Sequence, residues 1–426
     1  MPTPKRRGHA TQISRRMLTD GTFDDNEIGT AGEAAPSPLR SVHTTSFPAI
    51  LDQLQSSLAV TTYQAGKLVI LRSDGGVINT HFRAFSKPMG LAVGHNRLAI
   101  GTAVDVWEFR NVPAVAAKLE PTGKQDACFL PRSAHVTGDV QIHEMAYVSR
   151  ESRVECREPD FKARESRVES RGPESDALGD AKFERESLWF VNTRFSCLAT
   201  HDPDHSFAPV WRPKFISQLT PDDRCHLNGL CVVDGRPRWV TALGETDTPG
   251  GWRENKKSGG ILIDVDSHEN VARNLSMPHS PRWHAGRLWL LESGTGSLGF
   301  VDLGSGKYEP IVHLEGFTRG LEMIGNLAFV GLSQVRETAI FSGVQITERL
   351  KESERTCGVW VIDIQRGQVV AFLKFEEAVQ EIFAVALLPG MRFPDLINDN
   401  AELVGGAFVL PDDALRDVPA ELRATS

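Results

Sequence analysis

The stretch Asn228-Gly229-Leu230-Cys231-Val232, followed by Arg238-Trp239-Val240-Thr241-Ala242, decides the fold, because this pairing of two apolar strands recurs along the chain. Each first strand begins with a similar short apolar motif, and the second strand often ends in a small or polar residue. The other starts are Met89-Gly90-Leu91-Ala92-Val93, His143-Glu144-Met145-Ala146-Tyr147, Ser280-Pro281-Arg282-Trp283-His284, Arg319-Gly320-Leu321-Glu322-Met323 and Glu381-Ile382-Phe383-Ala384-Val385. A repeat of roughly 40–50 residues is typical of four-stranded blades around a central channel. We therefore predict an all-β protein, a six-bladed β-propeller.

The spacing between starts isolates one insertion. The separation of His143 from Asn228 is much the longest in the series, and the gap contains residues 150–186, which are dense in Glu, Arg and Ser. Two near-copies lie in it, Arg150-Glu151-Ser152-Arg153-Val154-Glu155 and Arg164-Glu165-Ser166-Arg167-Val168-Glu169. This composition predicts a charged, low-complexity and disordered insertion in a surface loop.

The two ends of the chain predict how the ring closes. Three predicted strands between Leu58 and Thr80 precede the first complete repeat, whereas the start at Glu381 has no further strands after it. We expect the N-terminal strands to complete that last blade, because such closure removes open sheet edges. A seventh blade within Ala114–Val136 is the alternative count, and a β-sandwich is the alternative fold.

The predicted domain boundaries follow from this closure. Residues 1–45 are polar and lack periodicity, so they are predicted to form a disordered tail. Residues 46–395 form the predicted propeller domain, interrupted by the insertion at 150–186. Residues 396–426 are a second predicted tail.

Composition excludes several classes of function. The net charge of −8 disfavours a general nucleic-acid-binding protein. No apolar run reaches the roughly 18 residues of a membrane span, and the basic segment Met1–Met17 lacks the apolar core of a secretory signal. The six cysteines form no C-x-x-C pair, which indicates reduced thiols. We predict a cytoplasmic protein without a nucleic-acid or membrane partner.

Several motifs together resemble one bacterial family. They are Thr137-Gly138-Asp139, Cys225-His226-Leu227-Asn228-Gly229-Leu230, Thr241-Ala242-Leu243-Gly244-Glu245-Thr246-Asp247, Gly250-Gly251-Trp252-Arg253-Glu254-Asn255-Lys256, Ser276-Met277-Pro278-His279-Ser280-Pro281-Arg282-Trp283-His284 and Cys357-Gly358-Val359-Trp360-Val361-Ile362-Asp363. The chain resembles conserved hypothetical proteins that carry domain of unknown function 4915, over about residues 45–395. This resemblance implies a domain type and no chemistry.

The innermost strand of each blade is predicted to line the channel, so polar residues near the strand starts become site candidates. Because side chains alternate along a strand, residues two positions apart are expected to point the same way. The resulting ring of candidates is His143, His226, Asn228, His279, Arg319 and Glu381, with Glu144 and Glu245 nearby.

Three interpretations of this ring are open. His143, His226 and His279 are candidate ligands for one divalent metal ion, completed by Glu381 or Glu144. Calcium is the second interpretation, because carboxylate and amide oxygens are its usual ligands. The candidate calcium ligands are Glu381, Asn228, Asp139 and Glu245. In the third interpretation no metal is needed, and each histidine hydrogen-bonds a neighbouring blade or takes part in proton transfer.

Arginines in the motif loops predict an anionic ligand, because guanidinium groups pair with carboxylate, sulfate or phosphate. They are Arg194, Arg253, Arg282, Arg319 and Arg336. The polar segment Gly244–Lys257, with Trp252 and Arg253 at its tip, is predicted to cover the channel mouth.

These candidates give two function hypotheses. The first is an enzyme at the channel mouth, metal-dependent in one version, that acts on a small or peptidyl anionic substrate. Its predicted catalytic residues are His143, Glu144, His226, Arg319 and Glu381, with a histidine as general base and Glu144 or Glu381 as its partner. Its predicted substrate-binding residues are Arg194, Asn228, Glu245, Trp252, Arg253, Arg282 and Arg336. The second hypothesis is a non-catalytic propeller that binds a peptide or protein partner.

Overall fold

A computed structural model describes residues 39–149, 186–334 and 343–419 of the chain. The first 38 residues of the predicted N-terminal tail lie outside the described residues. So do residues 150–185 of the predicted insertion and Arg336, one of the predicted substrate-binding residues.

The first half of the described chain contains twelve strands. They are β1 (Ser41–His43), β2 (Ser56–Thr62), β3 (Lys67–Asp74), β4 (Val77–Ala84), β5 (Leu91–Gly94), β6 (Arg97–Gly101), β7 (Asp105–Asn111), β8 (Ala127–Val136), β9 (Ile142–Val148), β10 (Ser187–Asn192), β11 (Cys197–Thr200) and β12 (Ala208–Trp211). Two helices lie among them, α1 (Ser46–Gln53) and α2 (Pro113–Ala116).

The second half contains the remaining strands. They are β13 (Leu227–Val233), β14 (Arg236–Ala242), β15 (Gly260–Asp264), β16 (Asn270–Leu275), β17 (Pro278–His284), β18 (Arg287–Glu292), β19 (Ser297–Asp302), β20 (Lys307–His313), β21 (Phe317–Ile324), β22 (Leu327–Ser333), β23 (Cys357–Asp363), β24 (Gln368–Phe375), β25 (Val385–Pro389) and β26 (Pro394–Leu396). Its short helices are α3 (Gln345–Arg349), α4 (Ala401–Gly405) and α5 (Asp412–Leu415), with 3-10 turns at Gly251–Asn255 and Glu352–Glu354. Among the described residues, no helix is both long and apolar enough to cross a membrane.

These strands form six sheets arranged as the blades of a β-propeller. From the channel outward, blade 1 is β25-β2-β3-β4, blade 2 is β5-β6-β7-β8, and blade 3 is β9-β10-β11-β12. Blade 4 is β13-β14-β15-β16, blade 5 is β17-β18-β19-β20, and blade 6 is β21-β22-β23-β24. The predicted six-bladed fold is confirmed, whereas a β-sandwich is wrong. A seventh blade is also wrong for the described residues, because α2 and β8 in that segment belong to blade 2.

Strands from both ends of the repeat series build blade 1, as predicted. The late strand β25 pairs antiparallel with β2, with Val385 opposite Val60 and Leu387 opposite Leu58. The strand begins at Val385 rather than at Glu381, and residues 381–384 approach β2 through the hydrogen bond from Phe383 N–H to Thr61 O. This pairing ties the two ends of the propeller together.

The structure differs from the predicted domain boundaries at both ends. Ser41–His43, placed in the predicted tail, pairs antiparallel with β24 as a fifth strand of blade 6. Pro394–Leu396 pairs parallel with β8 as a fifth strand of blade 2. Each added strand satisfies backbone groups along an outer blade edge, so ordered structure extends past both predicted boundaries.

Six apolar layers, one between each pair of neighbouring blades, form the core. In β2, Leu58 and Val60 pack toward blade 6, whereas Ala59 packs toward blade 2. In β3, Val69 and Leu71 face blade 6 while Leu68 and Ile70 face blade 2. Strands that are buried on both faces read as continuous apolar runs, as Leu58-Ala59-Val60 in β2 and Leu68-Val69-Ile70-Leu71 in β3 do.

Hydroxyl groups near the ends of the second strands connect four of the six blades to the next blade. Thr61 Oγ1 donates to Met89 O at 2.7 Å, and Thr193 Oγ1 donates to Leu227 O at 2.6 Å. Ser293 Oγ donates to Thr318 O, and Ser333 Oγ donates to Ile382 O at 3.1 Å. We call these four hydroxyls the interblade clasp. They give a physical reason for the small or polar residues that close the second strands in the sequence.

Candidate functional site

The central channel contains a cavity of about 230 Å³ bounded by the inner strands. Its apolar wall comes mainly from blades 1 and 2. Its polar lining comes from blades 3–6 and includes His143, Glu144, Asn228, His279, Ser280, Arg282, Arg319 and Glu322. Five of the predicted site residues, His143, Glu144, Asn228, Arg282 and Arg319, therefore meet in one cavity, together with the predicted metal ligand His279.

His143 and His279 occupy matching positions and share one tautomer. Nδ1 of His143 lies 3.0 Å from Gln141 O and 2.8 Å from Thr193 Oγ1. The carbonyl only accepts, and the Thr193 hydroxyl already donates its proton to Leu227, so Nδ1 must carry the proton. The same logic applies to His279, which contacts Met277 O at 2.9 Å and Ser293 Oγ at 3.2 Å. In the neutral rings, Nε2 of each histidine therefore carries a lone pair.

Electrostatics keep His143 neutral. Burial lowers the pKa of His143 well below its ordinary value, and the positive charge of Arg319 lowers it further. The ring also contacts His226 edge-on, with ring centroids 4.8 Å apart, and Phe383 at 5.1 Å. A neutral His143 serves as a hydrogen-bond acceptor toward anything in the channel.

Arg319 places a guanidinium group in the channel wall. The residue is only 5 % exposed, and its guanidinium carbon lies 3.3 Å from the centroid of the Phe383 ring. The Glu381 carboxylate is 3.9 Å away, so these two predicted catalytic residues form a loose ion pair with each other. Stacking on an aromatic face orients a guanidinium plane and leaves its edge as the donor surface.

The segment before β13 positions His226 through a carboxylate that the sequence analysis missed. His226 Nδ1 lies 3.0 Å from Asp223 Oδ2, and the same oxygen accepts a hydrogen bond from Trp252 Nε1 at 3.0 Å. The Trp252 ring packs on His226 with centroids 4.4 Å apart, and Arg253 lies over Trp252 at 4.5 Å. A carboxylate that accepts from Nδ1–H leaves Nε2 as the basic nitrogen, which is how histidine general bases are oriented.

The general-base partners therefore differ from those predicted. Glu144 accepts from Leu230 N–H at 3.1 Å and pairs with Arg282 at 2.5 Å, so it does not orient a histidine. Glu381 lies beside Arg319, and the carboxylate that contacts the His226 ring is that of Asp223. The signal for Asp223 was present in the sequence as an Asp and a His three residues apart on a turn.

Four of the predicted substrate-binding residues, Arg194, Glu245, Trp252 and Arg253, do not line the cavity. Arg194 pairs with Asp139, and the exposed Glu245 pairs with Arg273. Trp252 is 4 % exposed and packs beneath its 3-10 turn. Its buried indole N–H finds a hydrogen-bond acceptor there in Asp223. The buried Trp252 is therefore not an exposed lid group, whereas Arg253 on the same turn is partly exposed and lies 3.6 Å from Asp223.

The metal interpretations gain no geometric support. Across the residues that the structure describes, no group of three or more His, Cys, Asp or Glu side chains is arranged to hold a metal ion. Nδ1 of all three predicted histidine ligands is bound to protein groups. For calcium, Asp139 and Glu245 are held by arginines, and both amide atoms of Asn228 bond to Pro278 O and Thr241 Oγ1.

Backbone conformation explains why strand alternation mispredicted some directions. The residue two positions before Met89, His143, Asn228 and His279 has a positive φ in each case. These residues are Lys87 (47°), Gln141 (54°), His226 (50°) and Met277 (52°). Strand register also shifts just after them in blades 3, 4 and 5. A left-handed residue and a bulge break the period of two, so consecutive residues such as His143 and Glu144 both reach the cavity.

The buried cysteines are chemically quiet. Cys128, Cys197, Cys225, Cys231 and Cys357 are free and buried. Burial raises the pKa of Cys197 to about 12, which suppresses the nucleophilic thiolate. Cys156 lies outside the described residues.

Fold and site define the chain as a six-bladed β-propeller with a polar pocket in its channel. The sequence matches the family described as a domain of unknown function, DUF4915, over residues 45–158 and 177–397. The chain belongs to this family. The matched ranges leave out residues 159–176, within the predicted insertion.

Comparisons beyond the family add little. No curated protein matches the sequence. The crystal structure of a Nidogen/Laminin complex contains a chain with 8% identity and a TM-score of 0.47, covering 79% of this chain and 99% of that one. A protein of unknown function from Bacteroides caccae has 10% identity and a TM-score of 0.44, covering 78% and 98%. At these scores neither carries an argument, and the architecture rests on the six sheets of this chain.

Proposed function

We propose that the channel cavity binds a small carboxylate or a related small anion, and that His226, oriented by Asp223, serves as a general base toward the bound molecule. The observation that carries the proposal is the contact between His143 and His226. It joins the Asp223–His226 pair to the cavity that holds Arg319.

Arg319 is the anchor for the anion. Its side chain is buried in the channel wall and oriented by Phe383, and a guanidinium edge matches a carboxylate in two parallel hydrogen bonds. The imidazole of His143 lies in the same cavity and accepts through Nε2. A hydroxyl or another proton donor on the ligand suits this acceptor, so the proposed ligand carries an anionic group beside a donor group.

The base is separate from the anchor. In Asp223–His226 the carboxylate fixes the tautomer and stabilises the protonated ring that forms when the base takes a proton. Trp252 fixes Asp223 in turn through its indole N–H. Trp252 thus acts through another residue, as a positioning group.

Binding is tested by calorimetric titration with propionate, lactate and inorganic phosphate as probes. Wild-type protein is expected to bind at least one probe. Arg319→Met is expected to weaken this binding at least tenfold, and Arg319→Lys to weaken it less, because lysine keeps the charge without the planar fork. Arg194→Met is the matched control and is expected to bind like wild type. Equal binding by Arg319→Met and wild type, or binding of none of the probes, contradicts the proposal.

The base is tested by following a panel of small hydroxy acids and esters by proton NMR with excess protein. Turnover of any compound is expected to be lost in His226→Gln and reduced in Asp223→Asn, while both variants keep the propionate affinity of wild type. Turnover that survives in His226→Gln, or binding without turnover of any compound, overturns the general-base role. The second outcome favours the non-catalytic alternative.

A further inference from the structure

The same cavity has a second polar level, one to three residues further along the inner strands from the His143 and Arg319 level. Blade 3 contributes Glu144, blade 5 contributes Arg282 and blade 6 contributes Glu322. We call these three residues the lower cluster. Apolar residues, among them Leu91, Leu230 and Val385, line the cavity around it.

The lower cluster contains two carboxylates and one guanidinium group. Glu144 is engaged by Arg282 at 2.5 Å and by the backbone of Leu230 at 3.1 Å. Glu322 accepts hydrogen bonds from the backbone of Met323, at 3.1 Å, and of Leu387, and it interacts with Arg282 through charge. One guanidinium thus faces two carboxylates in a cavity, so the cluster has one acidic group in excess.

The pKa shifts of Glu322 and Arg282 agree with an excess of one carboxylate in the lower cluster. Burial is the main cause that raises the pKa of Glu322, and Arg282 offsets only part of that effect. Burial opposes the charge of Arg282, but Glu144 and Glu322 together raise its pKa. An added positive charge at the lower cluster therefore stabilises the ionised form of Glu322.

The charge that the cavity favours in a bound group changes sign along the channel. At the upper level, Arg319 is the cationic group that lines the cavity, its ion-pair partner Glu381 is not among the lining residues, and His143 stays neutral. At the lower cluster, the excess carboxylate favours a cation or a strong donor. Arg319 and Glu322 are three residues apart on β21, which is about 10 Å at the usual strand rise of roughly 3.3 Å per residue. Both side chains reach into the cavity, which shortens the gap that a ligand must span.

We propose that the channel ligand is a small amino-carboxylate, whose carboxylate binds at Arg319 and whose ammonium group binds at Glu322. This inference rests on the proposed anion site and adds the chemical class of the ligand. An ammonium group supplies three donors, which suits Glu322, while the lone pairs of the upper histidines accept any donor near the carboxylate end. A cavity of about 230 Å³ accommodates a molecule of this size.

The test compares two matched series of probes by calorimetry. One series is propionate, butyrate and pentanoate, and the other is 3-aminopropionate, 4-aminobutyrate and 5-aminopentanoate. The amino compound of the best length is expected to bind at least tenfold more tightly than its matched carboxylate.

Two variants locate the second contact. Glu322→Gln is expected to bind both series alike, since the amide keeps the acceptor for Met323 N–H but loses the charge. Glu322→Asp is expected to shift the preferred amino-carboxylate to a longer spacer, because its carboxylate is set back by one methylene. Glu309→Gln, at an exposed position on β20, is the matched control and is expected to retain the wild-type preference.

The outcomes separate this inference from the function on which it rests. If wild-type protein binds the plain carboxylates through Arg319 with no advantage for the amino series, the amino-carboxylate assignment is overturned and the anion site stands. An ammonium advantage that persists in Glu322→Gln also overturns it. If neither series binds, both proposals fall together.

Discussion

His143 shows how a single buried side chain links stability to pH. Its folded-state pKa lies well below the ordinary value because of burial and of Arg319, so the unfolded chain binds a proton at this residue more readily than the folded chain does. Stability from this source is fully present above the unfolded pKa of about 6.5 and is lost as the pH falls below it.

We therefore expect the free energy of unfolding of His143→Gln to fall less steeply with decreasing pH than that of the wild-type protein. Wild-type protein should lose more free energy of unfolding than the variant below pH 6.5, by up to about 1.4 kcal/mol per pH unit. Urea unfolding at pH 7.5, 6.5 and 5.5 measures the difference. His95→Gln, at an exposed position, is the control and should keep the wild-type slope. Parallel profiles for wild type and His143→Gln would contradict the account.

The sequence predicted most of the polar residues of the site but not their partners. His143, Asn228, His279 and Arg319 were found because each follows a recognisable strand start. Asp223 and Glu322 were missed for different reasons. Asp223 precedes its strand and reaches His226 through a turn with positive φ at both residues, and Glu322 reaches the cavity only because register shifts early in β21. Neither local deviation is visible in a period-of-two pattern.

At the scale of strands and loops, the interblade clasp connects packing with the site. Thr193 donates to Leu227 O of the next blade and accepts from His143, so one hydroxyl both joins blades 3 and 4 and sets a histidine tautomer. It is fully buried, and its removal leaves the Leu227 carbonyl without this bond. An unsatisfied buried polar group typically costs about 1–3 kcal/mol.

Thr193→Val is accordingly expected to lower the free energy of unfolding by about 1–3 kcal/mol. The variant keeps the side-chain volume, so packing alone predicts little change. Ser133→Ala, at an exposed position on β8, serves as control and is expected to change stability by less than about 0.5 kcal/mol. Chemical unfolding of the three proteins measures the effect. An unchanged free energy of unfolding in Thr193→Val would contradict a stabilising role of the interblade clasp.

At the scale of the whole molecule, two late strands, β25 and β26, hold the ring together where blades 1 and 2 meet. β25 supplies the inner strand of blade 1, and the chain then continues to β26 on the outer edge of blade 2. There Asp395 pairs with His81 at 2.8 Å and Arg83 at 3.2 Å, and Arg72 donates to Pro394 O at 3.0 Å. The C-terminal segment thus holds blades 1 and 2 together from outside.

Asp395→Asn tests this outer anchor. Burial opposes ionisation of Asp395, but the hydrogen bond and charge of His81, together with Arg83 and Arg72, hold its pKa below the ordinary value. The carboxylate therefore contributes stability above the unfolded pKa of about 3.9, and this contribution is lost as the pH falls through the lower folded pKa. At neutral pH the variant should be less stable by about 1–3 kcal/mol, and this deficit should shrink in acid. Asp399→Asn, exposed in the same segment, is the control, and equal stability of both variants would contradict the anchor.

The architecture was predictable at this scale because it repeats. Strand starts such as Asn228–Val232 are continuous apolar runs, and each blade buries both faces against its neighbours. Closure followed from the count of strands before Met89 and after Glu381. The added edge strands β1 and β26 were not predictable, since each is only three residues long.

The most direct test of the channel site is a titration of the protein with propionate, followed by the ring-nitrogen NMR signals of the histidines. The account predicts that the Nε2 signals of His143 and His279 shift with a common dissociation constant, while those of the exposed His95 and of His135 between blades 2 and 3 do not. The same titration of Arg319→Met should leave all of them in place. Saturable binding of propionate that leaves His143 and His279 unchanged would place the anion elsewhere and contradict the central claim.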